Sequence, residues 1–72
     1  MTGHSMALST LTARQVEILR LVAEGLSSPQ IARHLRLSEH TVRSHMNAIY
    51  ERLEVNDRAH AVAVAFRARV LT

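Results

Sequence analysis

Residues 27–53, SSPQIARHLRLSEHTVRSHMNAIYERL, constrain the fold more than any other stretch. Their periodicity predicts a short helix over 28–35, a turn at Arg36 and Leu37, and a longer helix over roughly 39–53 capped by Ser38. On the longer helix Val42, Met46, Ile49 and Leu53 recur at i, i+4, i+7 and i+11, a single apolar stripe. The opposite side of its first two turns carries His40, Arg43, Ser44 and Asn47. On the short helix Ile31, Ala32 and Leu35 face inward, and Ala32 is small enough to let two backbones approach. With so few residues in the turn, the second helix must cross the first steeply and project its N-terminal half outward.

The rest of the chain supplies a frame for this pair. Thr12 and Gln15 are spaced for a capping box opening a first helix, and Leu11 can staple onto Val16. Val16, Leu19 and Ala23 are the expected apolar face, widened by Ile18, Leu21 and Val22. Arg14, Glu17, Arg20 and Glu24 are left to water, with Glu17 placed for Arg14 or Arg20. Gly25 stops this helix, because glycine takes the left-handed backbone of a helix end at no steric cost. Ser27 with Gln30 is a second capping box, and Ser28 with Pro29 at the first helical position is an equally legal start. Asp57 caps a fourth helix over 58 to about 70, although the alternating valines of RAHAVAVAFRARV also fit a strand. Its five alanines and the Asp cap favour helix. Ala61, Val62 and Ala65 form its inner side, and His60, Ala63, Val64 and Arg67 are left as a candidate self-association surface.

Composition excludes several functions. A chain of 72 residues is one domain, and such a chain buries only about 60% of its unfolded surface. The 47% apolar content excludes a disordered tail, and Tyr50 and Phe66 are the only aromatics. Without cysteine there is no disulfide, thiolate metal site or cysteine nucleophile. His34, His40 and His45 lack the spacing of a shared metal site, and no phosphate loop, nucleophile elbow or carboxylate pair is present. Neither an enzyme, a metal nor a cofactor is expected, nor a small-molecule ligand in this domain. No apolar run is long enough for a membrane span and no secretory signal is visible, so the expected location is cytoplasmic. Residues 1–8 have no periodicity and are set aside as a tail, leaving 9–72 as the domain.

Nine arginines and no lysine stand against six acids, a formal charge of +3. That is a mild pull toward a polyanion, and its placement carries more meaning than its size. An all-α, four-helix bundle with an exposed Arg–Ser–Asn helix front fits the major groove of double-stranded DNA as a helix-turn-helix. Arg43 is the leading base reader, since a guanidinium can bond guanine O6 and N7 together. Asn47 can pair with adenine or reach a phosphate, and Ser44 and His40 share the front. Thr41, His45 and Arg36, with Ser28 at the start of the short helix, are placed for the flanking backbone. Taken singly, each has an ordinary explanation: Arg43 as a solvated charge, the histidines as surface or core-edge residues. Glu51 and Glu54, near Arg52 and Arg58, read as salt-bridge formers.

The ordered set Leu11-Thr12, Arg14, Leu19, Gly25-Leu26-Ser27, Ile31-Ala32, Leu35, Ser38, Thr41-Val42, His45, Ile49, Leu53, Val55, Arg58 and Ala61-Val62, without gaps, resembles the LuxR-type (FixJ/NarL/GerE-like) DNA-binding domain of bacterial regulators. The resemblance implies four helices, the third in the major groove and the fourth mediating dimerisation on DNA, so a homodimer on two half-sites is expected. It places Arg43 where the family has a DNA-contacting lysine, Ser44 and Asn47 at positions that tune base choice, and Thr41 and His45 near the backbone. Gln15 and Gln30 replace common glutamates and Ala48 a common asparagine, so one usual contact is expected to be missing. RNA polymerase is a further partner such a regulator would meet. Larger members carry a phosphoacceptor or ligand-sensing domain; the 72 residues hold none, which leaves both a small regulator and an excised domain open. A sigma-factor region-four-like promoter-binding domain and a helical protein-interaction module are the alternatives.

Overall fold

The computed structural model describes residues 11–67, which form four α-helices: α1 Ala13–Ala23, α2 Ser28–Leu35, α3 Glu39–Leu53 and α4 Arg58–Arg67. The expected tail over 1–8 and the expected last turn of α4, to Val70, lie outside the described residues. The expected all-α bundle is what the chain forms, and the strand alternative for 58–67 is not taken.

Each helix begins where a side chain can satisfy its free amides. At α1 the Gln15 N–H donates to Thr12 Oγ1 (3.1 Å), and the Thr12 N–H donates back to Gln15 Oε1 (2.9 Å). At α2 the same reciprocal pair joins Ser27 and Gln30, at 3.3 and 2.8 Å, so Ser27 rather than Ser28 is the cap. The Thr41 N–H donates to Ser38 Oγ (3.0 Å) at α3, and the His60 N–H to Asp57 Oδ1 (2.8 Å) at α4. Substituting such caps by alanine costs about 1 kcal/mol each.

The first three helices also end alike. Leu26 N–H donates to Leu21 O (3.2 Å), Leu37 N–H to Ala32 O (2.9 Å) and Val55 N–H to Tyr50 O (3.0 Å). This closure needs a left-handed residue just before the donor. Gly25 supplies it after α1 at φ +96°, whereas Arg36 (φ 60°) and Glu54 (φ 58°) supply it without the freedom of glycine. The donating residue is apolar in all three cases and folds back on the core, Val55 fully and Leu26 and Leu37 partly.

The core is aliphatic and centred on α3, which packs against all three other helices. Its stripe of Val42, Met46, Ile49 and Leu53 is buried, as the spacing predicts. Ile18, Leu19 and Val22 of α1, Ile31 and Ala32 of α2, and Ala61 and Ala65 of α4 complete it. Burying an Ile or Leu side chain contributes about 1.5–3 kcal/mol, so these few residues carry most of a small domain's cohesion. On α1 the buried line is Gln15, Ile18, Leu19 and Val22, rotated from the expected Val16, Leu19 and Ala23, which are only partly buried at 16 and 23. Gln15 can go inward because its carbonyl is already committed to the cap.

One tertiary hydrogen bond was not foreseen. Arg58, in the first turn of α4, donates from Nη2 to the carbonyl of Leu26 at 2.6 Å, spanning 32 residues of sequence. Arg58 was expected beside Glu51 and Glu54; it clamps α4 to the link between α1 and α2 instead. A backbone acceptor carries no sequence signal, so only the packed helices bring the two together.

Candidate nucleic-acid interface

Burial of the α3 stripe turns the other side of that helix to solvent. His40, Arg43, Ser44 and Asn47 are all exposed. At about 100° per residue they lie within roughly a third of the helix circumference, opposite Val42, Met46 and Ile49. From His40 to Asn47 the front runs about 10 Å along the axis, roughly three base-pair steps at 3.4 Å each. Glu51, four residues beyond Asn47, continues this side with an exposed carboxylate.

Around this front the backbone-contact candidates take different positions. Arg36 is exposed in the turn between α2 and α3, and its left-handed backbone directs the chain into α3. Thr41 and His45 are half-buried at the flank, and Ser28 is half-buried in the first turn of α2. The Thr41 Oγ1 accepts from the Ser38 hydroxyl at 2.9 Å. Arg33 and His34 are exposed in the last turn of α2, beside Arg36. Arg33 adds positive charge beside the turn, and an arginine ending a helix just before it is the sequence signal.

A second unforeseen contact lies at the base of the front. Arg43 Nη1 stands 3.4 Å from Glu39 Oε1, one turn earlier, with both side chains more than half exposed. The pair is an i, i+4 arrangement of glutamate before arginine, the favourable order on a helix. Being solvated, it is worth only a few tenths of a kcal/mol, so it restrains Arg43 without occupying it permanently.

On α4, His60, Ala63 and Arg67 are exposed as expected, but Val64 is partly buried and packs against the core. Among the described residues the large apolar side chain that stays exposed is Phe66, at 51%, which is not one of the residues expected on this surface. Ala59, Ala63 and Phe66, at i, i+4 and i+7, make an exposed apolar line bordered by His60 and Arg67.

Among the described residues no group of histidines and carboxylates could hold a metal ion, and no helix is long and apolar enough to cross a membrane.

This arrangement is a helix-turn-helix, and the chain belongs to the luxR family of bacterial regulatory proteins, whose family model matches residues 9–65. It is 48% identical over 61 residues to a probable transcriptional regulatory protein, NarL, of Mycobacterium tuberculosis, covering 85% of this chain and 28% of that protein. Identity is 44% over 57 residues to the response regulator VraR of Staphylococcus aureus, covering 79% and 27%. The crystal structure of ChrA, the response regulator of a heme-sensing two-component system, superposes with a TM-score of 0.84 at 40% identity, covering 86% of this chain and 31% of that one. The chain thus spans under a third of the length of these relatives. The resemblance in the ordered motif set and the family match agree, and DNA-binding transcription regulation is the work of the class.

Proposed function

We propose that this domain binds double-stranded DNA sequence-specifically, with the first half of α3 in the major groove. Arg43, Ser44, Asn47 and His40 face base edges, and Arg36, Thr41, His45 and Ser28 meet the flanking phosphates. The observation that carries this reading is the exposed polar front on the first two turns of α3, backed by a fully buried stripe. A helix so mounted can insert side chains without disturbing the core. Backbone contacts supply affinity and register, and base contacts supply choice.

The domain acts as a homodimer on two half-sites, joined through α4. The Ala59–Ala63–Phe66 line supports this: it is apolar, continuous and turned away from the core. His60 and Arg67 border it on one side. Such a regulator works in the bacterial cytoplasm and meets RNA polymerase at its promoters.

Selection of bound duplexes from a random pool, followed by titration of the wild type and Arg43→Ala, tests the reading. Arg43→Ala loses about 1–3 kcal/mol on the selected duplex and much less on a scrambled one. Equal losses on both would make Arg43 a phosphate contact, and no loss on either would remove it from the interface.

A further inference from the structure

Glu39 is the first residue of α3, the end of the helix that enters the groove in the reading above, and its carboxylate lies 3.4 Å from Arg43. A lone guanidinium is drawn to any phosphate along a duplex, whatever the sequence. A guanidinium joined to a carboxylate is nearly neutral, and its acidic half is repelled by the same phosphates. The pair does match one kind of surface, in which an acceptor and a donor lie side by side. The major-groove edge of a G·C pair is such a surface: guanine O6 and N7 accept, and the cytosine N4 amino group donates.

We infer that Glu39 is a specificity-determining residue, which reads together with Arg43 as one unit. Arg43 donates to guanine, and Glu39 accepts from the N4 amino group of a cytosine in the adjoining base pair. In register, the carboxylate keeps its arginine and gains a donor. Out of register, Arg43 can still find a phosphate, but it brings Glu39 toward the same anion. The acid therefore weakens random binding more than it weakens cognate binding, which is a gain in selectivity without a gain in affinity. This rests on the groove-facing reading of α3.

Two substitutions separate the pair from its parts. Glu39→Gln removes the charge but can still hydrogen-bond, and its amide matches adenine N6 and N7. Glu39→Asp keeps the charge but is one methylene too short to hold Arg43 at the same distance. For Glu39→Gln, binding to random duplex should tighten about two- to fivefold, the weight of one exposed charge, while binding to the selected duplex changes less. Its selected consensus should lose cytosine preference beside the Arg43 guanine and accept adenine there. Glu39→Asp should lose the cytosine preference without tightening on random duplex. Circular dichroism and thermal unfolding are read in parallel, so that a weakened helix start is not taken for a lost contact. An unchanged selected-to-random ratio and consensus in Glu39→Gln overturns the inference, as does wild-type behaviour of Glu39→Asp. If the wild type itself shows no preference for any selected duplex, the groove-facing reading falls and takes this one with it. If the wild type selects and Arg43→Ala abolishes selection while Glu39→Gln is silent, only the role of Glu39 falls.

Discussion

Replacing Glu54 by glycine should stabilise the domain. Glu54 ends α3 at φ 58° and ψ 46°, the left-handed region, so that the Val55 N–H can reach Tyr50 O at 3.0 Å. A residue with a Cβ gives up about 1–2 kcal/mol in that conformation. Glycine removes the penalty but returns about 0.5–1 kcal/mol through the greater freedom of the unfolded chain. Glu54 also holds a carboxylate at the negative end of α3, which at an exposed position is unfavourable by about 0.3 kcal/mol. The net expectation for Glu54→Gly is a gain of about 0.5–1 kcal/mol, a rise in melting temperature of roughly 2–8 °C for a domain of this size. Glu54→Ala is the control, because it removes the charge and leaves the backbone penalty in place. Urea denaturation and thermal scans of both variants, at equal ionic strength, measure the difference. If Glu54→Gly is no more stable than Glu54→Ala, the left-handed backbone is not a source of strain and the reasoning fails.

Arg36→Gly relieves the same backbone penalty after α2 but removes a cation from a helix C-terminus, so its gain in stability should stay below about 0.5 kcal/mol. Its DNA affinity should fall and the salt slope should shrink by about one unit if Arg36 meets a phosphate; an unchanged slope would place it off the duplex. Arg58→Ala should cost about 1–2 kcal/mol of stability through the lost bond to Leu26 O, and Arg58→Lys should recover part of it in urea titrations. Loss of nothing in Arg58→Ala would show that water replaces the guanidinium. Ala63→Glu should leave the unfolding free energy within about 0.5 kcal/mol of wild type, as for surface changes, while abolishing cooperative binding to a duplex with two half-sites. Retained cooperativity would move dimer formation off α4. Val64→Glu is a poorer probe of that surface, because Val64 packs on the core and the substitution would strain the fold itself.

Much of the fold was legible because its signals are local. The boundaries of α2 and α3 follow from Ser27, Gln30 and Ser38, each acting within three residues of its own position. The stripe of α3 was legible because an uninterrupted period has one reading, and it left His40, Arg43, Ser44 and Asn47 outside. The face of α1 was read less well, since apolar residues surround that helix and only its packing decides which line turns inward. The clamp from Arg58 to Leu26 was invisible for a different reason: its acceptor is backbone, and its partners meet only through α4 folding back on the chain. The exposure of Phe66 was not legible, because an aromatic residue in a small protein ordinarily goes to the core and only the packing of α4 turns this one outward. The reach of Glu39 to Arg43 depends on rotamers that a sequence does not state.

The three links between helices, at 24–27, 36–38 and 54–57, are each tied off by their own backbone hydrogen bonds. The scaffold is thereby self-supporting, and the side chains on the outer face of α3 owe nothing to its assembly. Such a division lets the address be rewritten without rebuilding the carrier. Exchanging residues 39, 40, 43, 44 and 47 for those of another domain should redirect it to another target while the bundle keeps its shape. A lineage can multiply regulators of this design by altering a handful of codons.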